Sequence, residues 1–147
     1  MRMASELSQL VSANTARGDG TVSAPISFGE LIDKIVILEI KAAKITDAQK
    51  LVHVQEELAL LTKARNSSPL ADADIDHLKA ELKQVNEVLW EIEDRIRDCE
   101  RAQDFGPDFI ALARSVYKTN DRRAAIKRQI NDLAGSTIVE EKSYSQY

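Results

Sequence analysis

Two stretches of this chain space their seam side chains in the same alternating steps of three and four, each over eight positions. Ile75, Leu78, Leu82, Val85, Leu89, Ile92, Ile96 and Cys99 make the first; Phe109, Leu112, Val116, Thr119, Arg123, Ile126, Ile130 and Leu133 make the second. On an α-helix this spacing holds one stripe against a partner helix. Only a short break at Asp104-Phe105-Gly106-Pro107 separates the runs, so the two helices must fold back on each other. At ~1.5 to 3 kcal/mol per large aliphatic side chain buried, that seam alone contributes a dominant share of folding energy.

The remaining chain supplies two further helices. Ser27-Phe28-Gly29-Glu30 reads as a capping box, in which hydroxyl and carboxylate satisfy each other's free backbone N–H groups. The helix it opens, running to about Ile45, has the seam Phe28, Leu31, Ile35, Leu38, Ala42 and Ile45. Ile32, Val36, Ile37 and Ile40 leave it little polar face, the pattern of a helix enclosed by others. Thr46-Asp47-Ala48-Gln49 resembles a second capping box, followed by the stripe Leu51, Val54, Leu58 and Leu61 to about Ala64. Pro69 and its small polar neighbours make a loop, the third helix spans about 74–102, and the fourth runs from Pro107 to a stop at Gly135. The fold predicted is all-α, an antiparallel bundle of about four helices with a long, coiled-coil-like hairpin of the third and fourth. Residues 1–25, with one short apolar group at Leu7, Leu10 and Val11, read as a flexible tail; residues 26–135 form the bundle and 136–147 a second tail.

Composition agrees, with 44% hydrophobic, 5% aromatic and 30% charged residues. A lone cysteine argues against a disulfide framework or a Cys-based metal site and for a reducing compartment. No stretch has signal-peptide or membrane-span character, so the expectation is a soluble, cytoplasmic protein that does not engage a membrane.

Antiparallel register pairs Val85 with Arg123 and Leu89 with Thr119, and these pairs break the apolar rule. An arginine in the seam costs several kcal/mol unless paired, which marks Arg123 as a residue in need of a carboxylate. Glu39 and Glu93 are the candidates. One flank of the seam collects Asn86, Trp90, Glu93 and Arg97 from the third helix and Tyr117, Asn120 and Lys127 from the fourth. With Glu39 and Arg123 these form a candidate groove. In one reading the first helix fills it, Ala113 and Ala124 allowing close approach, and the polar groups satisfy one another. In the other, Arg123, Lys127 and Asn120 hold a small anionic ligand and Trp90 or Tyr117 stacks on a ring.

Other chemistry is less well supported. Glu30/Asp33 and Glu91/Asp94 have a spacing that would suit Mg²⁺ in a nucleotide or nucleotide-sugar phosphohydrolase, but the heptad frames point both pairs away from their seams. His53 and His77 are isolated, so no metal site and no cofactor is expected. Arg17-Gly18-Asp19 and Asn66-Ser67-Ser68 match extracellular motifs by chance. The basic run Arg122, Arg123, Lys127 and Arg128 would suit nucleic acid in isolation. Net charge is -4, however, and residues 74–102 carry nine acids against five bases, facing three acids against six bases in 107–134. Complementary helices explain the run without nucleic acid.

Longer blocks bear a family resemblance. Ser27 to Ile35 with Leu38-Glu39-Ile40-Lys41, then Ile92-Glu93-Asp94, Arg97-Asp98-Cys99-Glu100, Asp104-Phe105-Gly106, Leu112 to Tyr117, Thr119 to Arg123, Lys127-Arg128 and Val139 to Tyr144 resemble the bacterial family known as domain of unknown function 6165. The resemblance spans about residues 26–147 and implies a small helical protein, without an activity or cofactor. Taken together, the residues suggest a non-catalytic protein that binds a partner protein or a small anionic ligand through the flank of the third and fourth helices. The phosphohydrolase is the alternative. Because the first helix is apolar around most of its circumference, a homodimer is expected.

Overall fold

A computed structural model describes residues 18–147 and contains four helices: α1 (Phe28–Lys44), α2 (Ala48–Asn66), α3 (Asp76–Arg101) and α4 (Pro107–Ala134). The apolar group at Leu7, Leu10 and Val11 lies outside the described residues. Residues 21–26 are exposed and without helix.

Local chemistry sets the helix ends. Ser27 Oγ accepts from the Glu30 amide at 3.2 Å, but the Glu30 carboxylate completes no box and reaches Lys127 on α4 at 2.7 Å instead. At α2 the cap is Asp47, one residue after the expected Thr46, and its carboxylate accepts from the Lys50 amide at 2.9 Å. α3 starts without a side-chain cap, held instead by Ile75, whose side chain is buried in the core. Pro107 opens α4, and Gly135 closes it in the left-handed region at φ 64°, where a Cβ would be strained.

Helices α3 and α4 form the long hairpin. Across it lies α1, whose first turn sits on α4 through Gly29 and Glu30, whose middle touches both helices through Asp33, and whose later half meets α3 through Glu39. α1 therefore crosses the hairpin from one helix to the other, and α2 folds back against α1 alone among the helices. Ile32, Ile75, Leu82 and Ile130 fill the centre. The main core draws on the open end of the hairpin, while Ile92, Leu112 and an edge-on Phe105–Phe109 pair at 5.3 Å hold the turn end.

Two seam assignments and one expected close approach change. On α1 the most deeply buried stripe is Ile32, Ile35 and Val36, with Leu31 and Ala42 only half-buried, because the helix has neighbours on three sides. That enclosure happens within one chain, with Ile37 of α1 left half-buried. On α4, Leu133 is 63% exposed and Ala134 packs on the core instead. A strict heptad drifts about 20° per repeat on a straight helix, so by the last repeat the next residue points inward. Finally, Ala113 is exposed and gives no close approach; Gly29 does. A Cβ there would lie 2.5 Å from the Lys127 carbonyl oxygen and 2.8 Å from Asn131 Oδ1.

Candidate functional site

Where α1 crosses the hairpin, charge is buried. Asp33 is 1% exposed, and its Oδ1 accepts from Arg123 Nε at 3.1 Å and from Asn86 Nδ2 at 2.9 Å, while its Oδ2 accepts from the second Arg123 terminal nitrogen at 2.5 Å. The guanidinium thus meets the carboxylate with two parallel hydrogen bonds, the geometry for which its planar fork is suited. The Asp33 hydrogen bond raises the Arg123 pKa further above its ordinary value despite partial burial. Arg123 also donates to Asn120 Oδ1 at 3.4 Å, and Asn86 donates to the Leu82 carbonyl at 3.1 Å.

This corrects the expected pairing of Arg123. Glu39 lies nearly two turns along α1 and pairs with Lys79 at 2.7 Å and Lys83 at 3.3 Å. Partial burial pushes its carboxyl up, but the two lysines outweigh it and hold the pKa below the usual value. Glu93 pairs with Arg97 one turn on, at 2.5 Å, on an exposed face. Asp33 itself was expected to point outward. That frame assumed one partner helix for α1, whereas the helix touches three, and the position turned from one partner faces another.

A second polar cluster follows one turn along. Lys127 is 6% exposed and bridges two carboxylates, Glu30 of α1 and Glu140 of the C-terminal segment, each at 2.7 Å. Burial would lower its pKa, but the two carboxylates outweigh burial and raise it. Asn131 Oδ1 accepts from the Gly29 amide at 2.7 Å. Residues 136–147 return along α4, with Lys142 on Asp121 at 2.9 Å, the Tyr147 hydroxyl donating to the same carboxylate at 3.0 Å, and the Tyr117 and Tyr147 rings 5.0 Å apart.

Two clefts flank this polar wall. The first, of about 540 Å³, is lined by Ile37 and Ile40 of α1, by Asn86, Leu89, Trp90, Glu93, Asp94 and Arg97 of α3, and by Asn120 and Arg123 of α4. The second, of about 490 Å³, shares Asn120 and Arg123 and adds Tyr117, Lys127, Glu30 and the C-terminal segment. Of the candidate groove, Asn86, Trp90, Glu93, Arg97, Asn120 and Arg123 thus meet at the first cleft. Tyr117 and Lys127 fall on the second, and Glu39 lines neither.

Sequence reasoning missed the parts played by Asp33, Glu30, Gly29 and Glu140. One signal was present: two acids a turn apart on α1, Glu30 and Asp33, complement two bases a turn apart on α4, Lys127 and Arg123, if those helices run antiparallel. Gly29 leaves no such mark, because its role arises only from the close approach.

Among the described residues no three His, Cys, Asp or Glu side chains gather as a metal site. Nor is any described helix long and apolar enough to cross a membrane. In comparison with known proteins, the model of a family of unknown function, the one the sequence resembles, matches residues 22–147. No curated protein and no solved structure matches.

Proposed function

The chain belongs to the family of domain of unknown function 6165, and for it we propose a non-catalytic role: binding a segment of a partner protein in the cleft beside Trp90. The observation that carries this reading is the makeup of that cleft. Its apolar part is Leu89, Trp90, Ile37 and Ile40, and two ion pairs stand around it, Arg123 with Asp33 and Arg97 with Glu93. A cleft of this kind offers a place for an apolar side chain inside a polar rim, the anatomy of a protein-binding hot spot, for which tryptophan is a favoured anchor.

The same pairings weigh against a small anionic ligand as the first choice. Such a ligand would have to displace Asp33 from Arg123, or Glu30 and Glu140 from Lys127. A Mg²⁺-dependent phosphohydrolase would need several carboxylates turned to one cavity, and Asp33, one of those considered for that task, is committed to Arg123.

Site-specific photo-crosslinking tests the proposal. A benzophenone amino acid replaces Trp90 in one sample and the exposed Val52 of α2 in another, and both are irradiated in extract from cells that make the protein. A discrete adduct from position 90 that position 52 does not give is the expected result. Equal adducts from both positions would overturn it. So would a rise in melting temperature that requires Mg²⁺ and a nucleotide together, which would transfer the cleft to the phosphohydrolase reading.

A further inference from the structure

The C-terminal segment carries an inference independent of the Trp90 cleft. After the left-handed Gly135, a tight turn in which Ser136 Oγ donates to the Ile138 carbonyl redirects the chain back along α4. The segment then holds three side chains of that helix. Glu140 meets the buried ammonium of Lys127, while Lys142 and the Tyr147 hydroxyl meet Asp121, and the Tyr147 ring lies against Tyr117. Apolar burial contributes little to this contact, since Val139, Tyr144 and Tyr147 remain mostly exposed. Its attachment therefore depends mainly on polar pairs: only Glu140 reaches a buried group, and the contacts on Asp121 lie at the exposed surface, where ion pairs individually contribute little. A segment held this way is bound, but displaceable.

We propose that the face of α4 bearing Lys127, Asp121 and Tyr117 is a docking surface for a partner's non-helical segment that carries a carboxylate, an ammonium and a tyrosine in that order, and that residues 136–147 occupy it within the chain as a competing strap. The chemistry of the occupant is read from the strap itself: a carboxylate for Lys127, then an ammonium and a phenol for Asp121. Tethering gives the strap an effective concentration near the millimolar range, so an outside segment competes against it at a disadvantage. Docking in trans is thereby restrained until the strap lifts. Lifting it also uncovers the second cleft, which it helps to line through Glu140, Lys142 and Tyr144.

The test uses the full chain and a fluorescein-labelled peptide with the sequence of residues 136–147, read by fluorescence anisotropy. Full-length Glu140→Gln/Lys142→Ala/Tyr147→Ala, whose own strap lacks its anchors, should bind the native peptide at least tenfold more tightly than wild type does. Asp121→Asn added to that variant should remove most of the gain, and Trp90→Ala should leave it unchanged, which separates this surface from the Trp90 cleft. Circular dichroism and the melting temperature establish that each variant is folded. If the triple variant melts early, the single Lys142→Glu, which touches the exposed Asp121, carries the same comparison. Equal affinity of wild type and strap-broken chain would overturn the proposal, as would equal binding of a peptide carrying the same three substitutions.

Discussion

Arg123 interrupts an apolar seam, and its partner decides what that interruption is worth. Asp33 is almost wholly buried, whereas the Arg123 side chain keeps 28% of its exposure. The two halves of the pair should therefore respond differently to loss of the other. Removing the guanidinium strands a buried carboxylate with Asn86 as its remaining side-chain donor, and Arg123→Ala should destabilise the protein by about 3 kcal/mol, the low end of the range for broken buried pairs. Asp33→Ala should be milder, because the arginine can turn toward water along its stem. Combining Asp33→Leu with Arg123→Met should recover most of the loss, since two apolar groups need no partners. Urea denaturation of wild type and the three variants checks the order, and an Arg123→Ala protein within ~0.5 kcal/mol of wild type would contradict it. The need for a partner was legible in the sequence. Its identity was not, because a heptad frame ranks positions against one neighbour and α1 has three.

Among the elements, α1 organises the molecule through its first turn. Helix propensity alone predicts that Gly29→Ala stabilises α1 by up to ~1 kcal/mol. The packing predicts the opposite sign. The new Cβ would meet the Lys127 carbonyl oxygen at 2.5 Å, and that atom belongs to the α4 backbone and cannot swing aside. Gly29→Ala should therefore cost ~1 to 3 kcal/mol net, with a weakened Gly29–Asn131 hydrogen bond, and Gly29→Val should cost more. Chemical denaturation measures the stability change, and amide exchange at Gly29 reports the hydrogen bond. A stabilised Gly29→Ala would contradict this close approach of α1 to α4. Across the hairpin, the matched seam was legible because both helices repeat one spacing; the crossing of α1 was not, because its circumference is apolar nearly all round.

For the molecule as a whole, ion pairs tie α1 to both arms of the hairpin and set opposite limits in pH. Glu39 has a depressed pKa in the folded state, so its contribution is fully present above the unfolded carboxylate value and is lost as pH falls through the folded one. Lys127 has a raised pKa, so its contribution is fully present below the unfolded ammonium value and is lost as pH rises through the folded one. Stability should accordingly be level across neutral pH and fall on both sides. Glu39→Gln should flatten part of the acid limb and leave the alkaline limb alone, and Lys127→Met should do the reverse. Denaturant midpoints measured from about pH 3 to pH 11 test this, and an unchanged acid limb in Glu39→Gln would remove Glu39 from the account.

By itself the sequence determined the elements and their main pairing: where helices begin and end, which of them form the hairpin, and that a charge interrupts its seam. These follow from local rules, since caps, turn residues and apolar spacing act over one or two turns and are written in consecutive residues. Tertiary structure alone decided that α1 crosses the hairpin, that Asp33 and not Glu39 or Glu93 meets Arg123, that Gly29 is a point of contact, and that the last residues return along α4. Those outcomes depend on which faces of separately specified helices come together, and many faces of α1 were apolar enough to serve. The face that α1 presents to α4 is the one that brings Glu30 to Lys127 and Asp33 to Arg123, pairings between residues some 90 or more positions apart along the chain that no local rule reaches.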